Sequence, residues 1–125
     1  MSSSAVVLCI DDNLRFMEHR RATLEAKGYR VDIALSGDEA INKLNRTPVG
    51  AVLLEYKSEG LDAEGIACQI KQQFPDLPVI LISTCCDIPE RILWLVDEYV
   101  MRSELPEGLP RIVQRTTQSD KAHAA

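Results

Sequence analysis

Six polar side chains stand where apolar runs stop. Asp11 and Asp12 follow Val6–Ile10, Glu55 follows Ala51–Leu54, Ser83 follows Val79–Ile82, and Tyr99 and Arg102 come after Val96. Three carboxylates supply hard oxygen ligands of the kind magnesium takes, and Asp11, Asp12 and Glu55 are the candidate metal ligands. A hydroxyl at Ser83 and a guanidinium at Arg102 could hold phosphoryl oxygens beside such an ion. The pattern is that of a phosphoryl-and-magnesium pocket. Each residue alone has a plainer reading: an Asp-Asp pair caps a helix, Glu55 is a loop acid, Ser83 bonds nearby backbone, and Tyr99 packs. Their common register gives the set its weight.

Positioning them requires strands whose carboxyl ends share one edge. Residues 5–10 form a continuous apolar run suited to a strand buried on both faces. From Asn13, Leu14, Met17 and Leu24 recur at helical spacing, and Gly28 stands where a left-handed cap is wanted. Val31–Ala34 reads as the second strand, and Ser36 with Glu39 as a capping box opening a helix to about Leu44. Ala51–Leu54 is the third strand. Asp62 caps a helix carrying Ile66, Ile70 and Phe74, and Val79–Ser83 is the fourth strand. A short helix over Pro89–Val96 is expected to turn Ile92, Leu93 and Val96 inward. Tyr99–Met101 is the fifth strand, and a last helix runs from Pro106 to Thr117. Strict β/α alternation calls for a doubly wound five-stranded parallel sheet, an α/β fold. Residues 1–4 read as a polar tail, 5–117 as a single domain and 118–125 as a second tail.

At 125 residues one core is enough without staples, and a net charge of −5 with no basic stripe argues against nucleic acid as a partner. The apolar runs fall far short of the roughly 18–20 residues that cross a bilayer, and residues 1–10 lack a signal-peptide pattern. The expectation is therefore a cytoplasmic chain with no membrane partner. Cys9, Cys68, Cys85 and Cys86 show no CxxC spacing and read as buried thiols; the Cys85–Cys86 pair is a weak redox or metal candidate. His19 and His123 read as solvated. Trp94 on the short helix is either core or an exposed anchor for a partner, and the anchor reading is preferred.

These features resemble the receiver domain of response regulators over about residues 5–117. The segment Leu53-Leu54-Glu55-Tyr56-Lys57-Ser58-Glu59-Gly60-Leu61-Asp62 is similar to the family's Leu-Leu-Asp…Met-Pro…Met-Asp-Gly run. It departs at the acceptor, at the Met-Pro pair (Ser58-Glu59) and at the final Gly (Ala63). The resemblance implies a flavodoxin-like strand order 2-1-3-4-5. It also implies that Asp11 and Asp12 stand for the magnesium-binding acids, Glu55 for the aspartate phosphorylated by a histidine kinase, and Ser83 and Tyr99 for the switch pair. Arg102 replaces the family's lysine, and Ser103 stands where a proline usually follows it. The stretch from Ser83 to Tyr99 is about one helical turn short of the family's, a difference that falls in the fourth helix.

The departure at position 55 matters because phosphoryl transfer depends on placement, and a displacement of about 1 Å can cost a hundredfold. One more methylene moves the carboxylate by about that much. It also carries negative charge toward the volume a phosphoryl group would fill, where Ser83 and Arg102 could hold it. The implied function is a stand-alone receiver-like module that signals by protein contact without phosphorylation and is not an enzyme. Its partner would be a histidine kinase or an output protein, and the fourth helix, fifth strand and last helix could form a homodimer. Two alternatives stay open. One is a magnesium-binding receiver phosphorylated slowly on Glu55 or on Ser83; the other is a small magnesium-dependent phosphohydrolase with Asp11 as nucleophile.

Overall fold

The computed structural model of the chain describes residues 6–56, 62–83, 88–101, 111, 113 and 114. Strands β1 (Val6–Ile10), β2 (Arg30–Ala34), β3 (Ala51–Glu55), β4 (Val79–Ser83) and β5 (Glu98–Met101) alternate with α1 (Leu14–Glu25), α2 (Gly37–Arg46), α3 (Ala63–Gln73) and α4 (Glu90–Leu93). All strand pairs are parallel and the order is β2-β1-β3-β4-β5, as the alternation and the resemblance implied. Parallel strands covered on both faces need continuous apolar sequence, which is why β3 and β4 are buried from end to end.

Two-residue alternation divides the core between the faces of the sheet. Leu8, Ile10, Val52, Leu54, Val79 and Leu81 pack with Ala40, Leu44, Ile66, Ile70 and Ile92 of α2, α3 and α4. Val7, Cys9, Ala51, Leu53, Ile80, Ile82 and Val100 pack with Met17 and Leu24 of α1 and with Val113. Each fully buried Leu or Ile contributes about 1.5–3 kcal/mol, so these two layers carry most of the driving force for folding.

Local signals define the element ends. The Asn13 side chain accepts a hydrogen bond from the Phe16 N–H and starts α1. Gly28, at φ 95°, makes the left-handed turn that ends it. At α2 the Ser36 hydroxyl accepts from the Glu39 N–H, while Glu39 reaches back one residue further than a capping box requires and accepts from the Leu35 N–H. Asp62 caps α3 through the Gly65 N–H.

The fourth helix differs from expectation. It is a single turn, with Pro89 as its cap and Trp94 already beyond its end. On so short an element only Ile92 is fully buried. Leu93, expected to face inward, is 40% exposed, and Leu95 and Val96 pack at the margin of the core. Arg111, Val113 and Gln114 are helical, in line with a last helix there. The termini 1–4 and 118–125, the remainder of Pro106–Thr117, the loop 57–61, the Cys85–Cys86 pair and Arg102 lie outside the described residues.

Candidate functional site

Asp11 and Glu55 reach the same place for a register reason. Ile10 pairs with Leu54, so the residues one step beyond them on adjacent strands lie side by side at the carboxyl edge. Asp11 continues the alternation of Val7 and Cys9, and Glu55 that of Ala51 and Leu53, which directs both to the face that α1 covers. Both are buried, at 1% and 2% exposed, and two acids held this close out of water require a counter-charge.

Arg20 of α1 supplies it. The side chain is itself buried, at 3% exposed. Its Nη1 donates to Asp11 Oδ2 at 3.3 Å and its Nη2 to Glu55 Oε1 at 3.0 Å, so one guanidinium ties β1 and β3 together through separate nitrogens. The planar fork of arginine makes this possible, whereas an ammonium would act on both acids as a single point charge. The other Asp11 oxygen, Oδ1, accepts from the Asn13 N–H at 3.0 Å and shapes the turn that leads into α1. Asp11, the nucleophile of the hydrolase reading, is thus buried and engaged by Arg20 and the Asn13 amide.

The sequence reading missed Arg20, yet a signal was present. The buried residues of α1 are Met17, Arg20 and Leu24, spaced by three and four. An arginine in the middle of an apolar helical stripe either opens to solvent or meets buried acids. The fully buried acids at the ends of the first and third strands decide for the second. Glu55 was expected to take Ser83 and Arg102 as partners; the described geometry brings Arg20 of α1 to its Oε1, and Arg102 lies outside the described residues. The extra methylene of glutamate lengthens the reach of the β3 carboxylate toward α1.

The other sequence-selected residues divide by position. Ser83 is fully buried at the end of β4, one residue beyond Ile82, the strand partner of Glu55. Tyr99 pairs with Leu81 in β5 and packs half-buried against the α2–α3 side of the core, across the sheet from Arg20. Asp12 is exposed. Trp94 is 78% exposed, which removes the core reading for it. His19 is exposed as expected, Cys9 is buried and Cys68 half-buried.

Whether this edge suits magnesium can be judged from its donors. Among the described residues no three His, Cys, Asp or Glu side chains group as a metal site. A guanidinium already lies on two of the three candidate carboxylates, and the third is on the exposed side. As arranged, Asp11, Asp12 and Glu55 do not fit a divalent cation.

Comparison with known proteins agrees with the architecture. Among curated proteins the chain is 28% identical over 123 residues to the response regulator MprA of Mycolicibacterium vanbaalenii, covering 93% of this chain and 53% of that protein. The chain spans about half the length of the curated relatives it matches. Among solved structures, a CheY-like receiver domain from Methanospirillum hungatei superposes with a TM-score of 0.85 at 17% identity, covering 97% of this chain and 99% of that one. The response regulator TrrA of Thermotoga maritima, solved in complex with Mg(2+)-BeF, gives 0.81 at 26% identity and covers 90% and 98%. No helix among the described residues is long and apolar enough to cross a membrane. The family model of the response regulator receiver domain matches residues 7–98, and with the strand order and the acidic edge in place the chain belongs to that family.

Proposed function

We propose that this receiver domain signals through protein contact and does not depend on phosphorylation at position 55. Receiver domains of response regulators are generally non-catalytic modules that communicate with histidine kinases and output domains. The observation that carries the finer reading is Glu55 at the carboxyl end of β3, buried and gripped by Arg20 together with Asp11. An acceptor must present a free carboxylate oxygen in line with phosphorus, and a displacement of about 1 Å already costs a hundredfold. A side chain longer by a methylene, with Oε1 held by a guanidinium, is displaced from that line. In charge sign it approximates the phosphorylated state, with one negative charge where an acyl phosphate has about two.

The contact surface is proposed around Trp94 and Tyr99. Trp94 stands 78% exposed next to Leu93 at 40%, an aromatic and aliphatic pair of the type that anchors interfaces. A partner signalling protein or a second copy of the chain would dock there. Arg102 is proposed as a further cation for Glu55.

The test is direct. Acetyl phosphate with magnesium, or beryllofluoride, leaves the amide spectrum of the wild type unchanged, while Glu55→Asp gains a response, with Arg102→Lys added if the single change is silent. Phosphate found on Glu55 of the wild type by mass spectrometry overturns the proposal. A magnesium-dependent, phosphorylatable receiver is the second reading, favoured by the likeness to TrrA in its Mg(2+)-BeF complex. The same experiment decides between them.

A further inference from the structure

We propose that Arg20 is a built-in substitute for a divalent cation: its guanidinium neutralises the acidic edge from within the chain, so the domain keeps its fold and surface without magnesium. The observations are independent of one another. Arg20 is buried in the apolar stripe of α1 between Met17 and Leu24, a place where an unpaired charge is strongly disfavoured. Its two terminal nitrogens bond carboxylates of two different strands, at 3.3 and 3.0 Å, as an ion held between them would. The carboxylates so engaged are the two buried ones, and no group of three metal-binding side chains forms among the described residues.

The guanidinium and a divalent ion compete for the same two carboxylates. An ion at this edge meets a positive charge already bonded to Asp11 Oδ2 and Glu55 Oε1, and taking those two oxygens would cost the buried guanidinium its acceptors there. The cost raises the magnesium dissociation constant far above the millimolar range. The domain therefore holds a single electrostatic state at this edge whatever the magnesium concentration. This inference rests on the receiver-type site proposed above, but not on phosphorylation or on a partner, so its test uses neither.

Thermal unfolding is followed at constant ionic strength with and without magnesium chloride. The wild-type midpoint should not move at about 20 mM magnesium, roughly twentyfold above the dissociation constant of a millimolar site. Arg20→Met should gain a saturable rise of about 5 °C at a tenfold excess over its dissociation constant. If Arg20→Met does not fold, wild-type amide spectra titrated with manganese answer alone: Asp11 and Glu55 amides should keep their line widths. Selective broadening of those amides, or a magnesium-induced rise in the wild-type midpoint equal to that of the variant, overturns the inference. A phosphoryl response in a wild type that remains magnesium-insensitive would sink the proposed function and leave this inference standing.

Discussion

Replacing Arg20 by methionine isolates what the buried ion pair does for stability. The substitution keeps an unbranched, helix-compatible side chain of similar length and removes the charge. At 3.0 and 3.3 Å and an effective dielectric near 20, each attraction to a carboxylate is about 5 kcal/mol before desolvation is counted. Burying the three charges offsets most of this, so the pair itself contributes little net stability. Breaking it is a different matter, because Asp11 and Glu55 remain buried with their counter-charge gone. The expected loss is about 3–5 kcal/mol, a large part of the roughly 5–15 kcal/mol typical of such a domain. In urea the midpoint should fall by roughly 2 M. Arg20→Met combined with Glu55→Met should recover the share of the loss that comes from Glu55, while Asp11 stays buried without its counter-charge. A single-variant loss under about 1 kcal/mol, or no coupling in the double variant, would refute the claim that these charges depend on one another.

Three other perturbations follow from the geometry. Asp97 accepts from Lys71 Nζ at 2.7 Å and from the Val79 N–H at 2.8 Å, tying the end of α3 to the start of β4; Asp97→Ala should cost about 1–2 kcal/mol in urea unfolding. Burial pushes the Cys9 thiol up to about 12, against the smaller opposing pull of Arg20, so its thiolate is scarce at neutral pH. Labelling of Cys9 by a disulfide reagent should track global unfolding, and labelling as fast as that of half-buried Cys68 would contradict this. Burial also raises the Asp32 carboxyl, but the hydrogen bond from Lys43 and the Ile33 N–H outweigh it and hold the group below its ordinary value. Its stabilisation is full above an unfolded value of about 3.9 and fades as pH drops through the lower folded value, so Asp32→Asn should narrow the gap to wild type only in acid. Half-exposed as the pair is, the effect at neutral pH should stay within about 0.5 kcal/mol by urea titration.

Much of the architecture was legible because it depends on short-range patterns. Short apolar runs such as those of β1, β3 and β4, each closed by a polar side chain and followed by a helical period, specify parallel strands whatever else the chain does. Asn13, Ser36 and Asp62 cap their helices through hydrogen bonds that span only three residues, and Gly28 needs nothing but its own backbone freedom. The short fourth helix was less legible. Over Pro89–Val96 the apolar residues fit a two-turn helix as well as a single helical turn closed by a tight turn at Trp94 and Leu95, and the entry into β5 chose the latter, leaving Leu93 and Trp94 outside.

The sequence by itself determined the strand-end positions of Asp11, Glu55 and Ser83, since alternation and run length place them without reference to anything distant. Only the tertiary structure decided what answers the charge of Asp11 and Glu55. Separations of nine positions from Asp11 to Arg20 and 35 from Arg20 to Glu55 carry no local preference for that contact. It arises because α1 packs over β1 and β3 and buries its middle residue against two acids. Electrostatic demand in a medium that excludes water then selects a cation within reach, which among the described residues is Arg20.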